Sequence, residues 1–207
     1  MSRKALALST LFAAALVAEP AFAHHVMGGR MPATFAQGLL SGLGHPVIGL
    51  DHFAAVVAVG CLAAMHRAGA GLALGFVIAM IAGVAAHLQG ATVPGAELLV
   101  AGSVILLGGV LLMRRDLSAA MALVLFVAVG WLHGYALGES IYGAEQTPLV
   151  AYLLGLAVIQ SAIALVAMTA ARWLASGAAA TSPLRFVGAG IAGIGLAVLV
   201  QQLVPVV

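Results

Sequence analysis

The run "GHPVIGLDHFAAVVAVG", Gly44 to Gly60, places His45, Asp51 and His52 inside an otherwise apolar stretch. Imidazole nitrogen and carboxylate oxygen are ligands for borderline divalent metals such as nickel, cobalt and zinc. An ionisable side chain in hydrocarbon is costly unless it is paired or wet, so such a cluster demands a purpose. Further groups of the same chemistry are His87 and His133, with Glu97 and Glu139 at the ends of apolar segments. His24 and His25 stand side by side nearer the amino terminus. Glu145, His66 and Asp116 fall between apolar segments and read as ordinary loop residues.

The elements that must position these groups are membrane-spanning helices. Hydrophobic residues make up 64% of the chain and charged residues 7%, against about 25% charged in a typical soluble domain. The mean hydropathy is +1.19. Apolar segments recur at 46–65, 71–89, 96–113, 118–138, 148–171 and 185–204, each near the ~20 residues a helix needs to cross the hydrocarbon core. No alternating barrel-strand pattern appears, so the expected fold is all-α: a polytopic bundle of six helices forming one domain over 24–207. The formal charge of +2 never gathers into a basic patch, which excludes a nucleic-acid surface. The single cysteine, Cys61, excludes an internal disulfide. Glycine-rich runs such as "GAGIAGIG" suit close helix packing, and the last helix, with no ionisable side chain in its apolar run, reads as scaffold.

Residues 1–23 read as a cleaved signal peptide. Arg3 and Lys4 form a positive start, "ALALSTLFAAALVA" a short apolar stretch, and Ala21-Phe22-Ala23 an A-x-A cleavage site. The mature chain would begin at His24, periplasmic to a bacterial inner membrane that it crosses several times. Its free amine and the two imidazoles of His24 and His25 would then form a first capture site for metal. Loop charge agrees with this orientation, since Arg67, Arg114, Arg115, Arg172 and Arg185 all fall on the cytoplasmic side. Glu97, Glu139 and Glu145 fall outside, with Arg30 as the outer exception.

Depth then brings the polar groups together. Asp51 and His52 lie just inside the outer end of the first helix, and His133 just inside the outer end of the fourth. At 1.5 Å per residue they share a depth on the order of 8–9 Å below that end. His87 and Glu97 flank the outer loop between the second and third helices. His45 and His52, seven apart in sequence, would be separated by roughly 10 Å of rise on a straight helix. Pro46 with Gly42, Gly44 and Gly49 therefore suggests a break or re-entrant turn over Ser41–Gly49 that returns His45 towards Asp51 and His52.

These residues carry a family resemblance. "HPVIGLDH", His45 to His52, resembles the H-P-x-x-G-x-D-H signature of the HupE/UreJ family of nickel/cobalt permeases. "VPGAELLVAGSVILLG" is similar to that family's Pro-x-x-Glu helix opening, with Pro94, Glu97 and Ser103 in place. "HGYALGE", His133 to Glu139, resembles its fourth-helix motif, although many members carry further histidines where this chain has Tyr135 and Leu137. The resemblance implies a secondary permease that brings nickel, or cobalt, across the membrane, with the metal as cargo and no catalytic cofactor. It implies an entry site of His45, Asp51 and His52, faced by His133 with Glu97 or Glu139. A metalloenzyme maturation system downstream is the implied recipient. No G-x-x-x-x-G-K-[ST] loop is present, so ATP hydrolysis by this chain is not expected. Two rivals share the ligand chemistry: an intramembrane zinc hydrolase, which lacks an H-E-x-x-H here, and a non-transporting metal-binding accessory protein.

Overall fold

The computed structural model describes residues 30–113, 116–176 and 182–204. The expected signal peptide and the His24–His25 pair lie outside the described residues. Every regular element described is helical: α1 (Phe35–Ile48), α2 (Leu50–Ala63), α3 (Gly69–Leu88), α4 (Ala96–Met113), α5 (Ala119–Gly138), α6 (Gln146–Ala175) and α7 (Ser182–Leu203). A single 3-10 turn, Glu139–Ile141, follows α5. Among the described residues five helices are long and apolar enough to cross a membrane, and the bent pair α1–α2 makes a sixth if it forms one span. The all-helical expectation therefore holds.

The break falls more narrowly than the glycine pattern suggests. Residues 41–48 stay helical, and the chain bends by 78° between α1 and α2 at Gly49 alone. Pro46 sits in the last turn of α1, where its missing N–H forfeits one hydrogen bond and only Val47 and Ile48 follow before the helix ends. α1 begins well before the first expected span. Thr34 caps it, its hydroxyl accepting from Gln37 N at 3.2 Å, while Gln37 Oε1 accepts from Ala33 N at 2.8 Å. Serine or threonine followed three residues on by glutamine is the usual chemistry of a helix start.

α2 is the central helix. Nearly every residue from Ala54 to Ala63 is buried, and the helix packs against α4, α6 and α7 as well as its neighbours. The main pairings around it are α3 with α5, α4 with α7 and α1 with α6. The α1–α6 pairing sets the position of His45, and glycine permits it. A side chain at Gly42 would collide with the Tyr152 carbonyl, and one at Gly155 would meet Leu39 O at 2.6 Å. Backbones can approach this closely only where side chains are absent.

On α5 the buried positions Ala122, Phe126, Val129, His133 and Leu137 recur at helical spacing. His133 thus belongs to the stripe turned into the bundle. Gly134, beside it, lies hard against the Met80 carbonyl of α3. At the opposite end of the bundle, Arg172 donates to His66 O and Arg185 to Leu112 O, each at 3.2 Å. The Arg172 and Arg185 ends of α6 and α7, with the ends of α2 and α4 that they bond, accordingly gather on one side and the histidine cluster on the other.

Candidate metal site at the helix break

The 78° bend replaces the rise of a straight helix with a corner. The rings of His45 and His52 are 6.1 Å apart centre to centre, well inside the ~10 Å that their spacing would impose without it. His45 lies in the last turn of α1 and Asp51 in the first turn of α2. The negative end of one helix dipole therefore meets the positive end of another beside a base and an acid. Asp51 Oδ1 accepts from the backbone N–H of His52 at 2.8 Å, fixing the carboxylate at the corner.

Gly49 has φ −73° and ψ 101°, a backbone conformation open to any residue. Its lack of a side chain is a matter of space. A Cβ there would sit 3.0 Å from His52 Cδ2, 3.3 Å from Asp51 Oδ1 and 3.5 Å from His45 O. A ring edge, a carboxylate oxygen and a carbonyl oxygen thus border one small volume that glycine leaves open.

His133 closes the inner side. Its Nδ1 lies 2.8 Å from His52 Nδ1, and the two rings meet edge to face at 5.0 Å. Matched depth and the cost of exposing an imidazole to lipid predict that these histidines face each other, and they do. His133 Nε2 is 2.8 Å from Ser103 Oγ, and that hydroxyl donates to Val100 O at 2.7 Å. His45, Asp51, His52, His133 and Ser103 are all buried, at 8% exposure or less. Tyr152 stands edge-on to His45 at 6.5 Å and bonds Leu137 O at 3.0 Å, joining the His45 wall to the His133 helix.

The remaining sequence candidates lie elsewhere. Glu97 is exposed in the first turn of α4, with Gln202 Nε2 3.5 Å from its Oε2. Glu139 is exposed in the 3-10 turn. His87 is half-buried against Tyr135 at 4.8 Å and Tyr142 at 5.7 Å. Among the described residues no three His, Cys, Asp or Glu side chains stand ready to hold one ion, and none of these joins the cluster at the helix break as placed. The cluster is open rather than a closed cage. Ser103 and Gly49 enter it although no metal chemistry singles them out. Their signal in the sequence is a hydroxyl alone in the apolar run of α4 and a glycine between the two halves of "HPVIGLDH".

Fold and site together define a multi-pass helical membrane protein with a buried histidine–aspartate cluster at a helix break. The HupE / UreJ protein family model matches residues 12–198, and the chain belongs to that family, whose membrane proteins are associated in general with nickel and cobalt transport. It is 32% identical over 126 residues to Protein HupE of Rhizobium leguminosarum bv. viciae. That match covers 60% of this chain and 63% of the relative, so the chain spans somewhat less than two thirds of the curated protein it resembles. No solved structure matches the chain.

Proposed function

We propose that the chain is a secondary permease carrying Ni2+, or Co2+, across the bacterial inner membrane into the cytoplasm. The observation that carries the reading is the bend at Gly49, which turns His45, Asp51 and His52 into one corner with His133 behind it. Broken helices that present their ends to an ion are a recurring device of secondary transporters. Two imidazoles and a carboxylate suit a borderline divalent cation, and modest side-chain rotation into the space beside Gly49 would gather them around it.

In this reading the cargo enters from the periplasmic side at the corner. Exposed Glu97 and Glu139 attract it towards the mouth, and His24–His25 act as a loose capture pair ahead of them. The arginine-lined end faces the cytoplasm, in keeping with the positive-inside bias. A downstream metalloenzyme maturation system receives the metal.

The test is metal flux into proteoliposomes containing the purified chain. Ni2+ or Co2+ should accumulate inside at a rate that saturates with outer metal, and His52→Ala should remove the accumulation. Saturable, stoichiometric binding with no flux would instead identify an accessory metal-binding protein. Release of product from an ester or peptide substrate, without flux, would identify a hydrolase.

A further inference from the structure

We propose that Ser103 fixes which nitrogen of His52 stays bare, acting through His133, so that His133 is a positioning residue for the cluster. The inference deepens the reading of His52 as a metal ligand and rests on it for its functional meaning. The argument itself is a count of hydrogens. A serine hydroxyl has one hydrogen to give, and a carbonyl can only accept. The 2.7 Å bond from Ser103 Oγ to Val100 O uses that hydrogen. The 2.8 Å contact between Ser103 Oγ and His133 Nε2 then requires the hydrogen to come from His133.

A neutral imidazole carries a hydrogen on one nitrogen only. His133 Nδ1 is therefore an acceptor, and the 2.8 Å contact between the two Nδ1 atoms needs its hydrogen from His52. The order runs from His52 Nδ1–H to His133 Nδ1, from His133 Nε2–H to Ser103 Oγ, and from Ser103 Oγ–H to Val100 O. His52 Nε2 is left with a lone pair and no hydrogen.

That nitrogen lies on the useful edge of the ring. Its bonded neighbour Cδ2 is the atom that borders the space at Gly49, where Asp51 Oδ1 also converges. The carbon bonded to the bare nitrogen and the Asp51 carboxylate thus both border the helix break, while the protonated nitrogen faces His133. Partners that hold one ring nitrogen commonly decide which nitrogen meets a metal, and their loss typically costs about 10- to 100-fold in affinity. Both His133 nitrogens are engaged, Nδ1 with His52 and Nε2 with Ser103, which accounts for a histidine only 1% exposed that is not itself placed at the corner.

Removing the Ser103 hydroxyl releases His133 Nε2. Either tautomer of His133 then becomes open, and with it either tautomer of His52. The test is 15N NMR of the histidine-labelled full chain in lipid nanodiscs without metal, paired with calorimetric titration of Ni2+. The unaltered chain should show hydrogen on His52 Nδ1 and His133 Nε2. Ser103→Ala should give mixed tautomers at both rings and roughly tenfold weaker Ni2+ binding. Ser103→Thr, which keeps the hydroxyl, should restore both readouts. Hydrogen on His52 Nε2 in the unaltered chain would overturn the proposal, as would unchanged tautomers in Ser103→Ala. Since the tautomers are read without metal, a chain that shows this order yet moves no Ni2+ contradicts the permease reading and not the hydrogen order.

Discussion

Two histidine-centred regions of this molecule have the same residue type and different surroundings. At the helix break, His52 and His133 lie 2.8 Å apart, are backed by Ser103, and share their corner with Asp51 and His45. Near the α3–α4 loop, His87 packs instead between Tyr135 and Tyr142. Tyr135 spends its hydroxyl on that loop, donating to Ala91 O at 2.9 Å and accepting from Val93 N at 3.0 Å. His87 Nδ1 is buried with no hydrogen-bond partner among the described residues. An imidazole in an apolar sequence is thus not a site by itself. The first region joins a base to an acid, a second base and a hydroxyl, whereas the second uses the ring as a packing surface for Tyr135, whose hydroxyl ties the loop to α5.

This contrast can be broken or sharpened by substitution. The largest effect is expected from His52→Ala, which takes the ring out of the corner; Ni2+ uptake into proteoliposomes should fall to background while the protein still inserts. Gly49→Ala should come next. Alanine suits the backbone at this position, so the helix bend should survive. Its methyl group would still occupy the space between His52 Cδ2 and Asp51 Oδ1, and Ni2+ affinity should drop roughly tenfold, a loss comparable to that of a removed supporting contact. Circular dichroism of Gly49→Ala should match the unaltered chain.

A smaller effect is expected from changing both His24 and His25 to alanine. Uptake at scarce metal should slow, with the rate at saturating metal retained, because a capture pair raises local supply without forming the pathway. The smallest effect is expected from His87→Phe, which keeps the ring packing against the tyrosines. Uptake should stay within about twofold of the unaltered chain, in line with a stability change of no more than ~1 kcal/mol.

How much of this was legible in the sequence follows from what periodicity and length can specify. Spans, loop ends and depth come from residue counting, because a helix rises a fixed amount per residue. Depth alone placed His52 and His133 at one level. The azimuth of a residue around its helix is a second coordinate, and it requires a polar face to reveal it. The apolar run of α4 is oily on all sides, so nothing in the sequence told that Glu97 points outward near Gln202 while Ser103 points to His133.

α1 was missed as a helix because its 14 residues are too few to span a membrane and mix glycine with serine and glutamine. The break itself was visible in the glycines and Pro46, but its confinement to Gly49 was not. A proline in a last helical turn and a proline in a loop look alike in a sequence. The α1–α6 contact that fixes His45 depends on Gly42 meeting Gly155, a pairing over a long sequence separation that no local pattern announces.

The central claim is that metal binds at the helix break and not at the tyrosine-packed histidine. X-ray absorption at the nickel edge tests it most directly, on the Ni2+-loaded full chain, His52→Ala and His87→Phe. The account predicts imidazole and carboxylate scattering in the unaltered chain, the same spectrum in His87→Phe, and loss of an imidazole contribution in His52→Ala. A spectrum changed by His87→Phe and untouched by His52→Ala would contradict it.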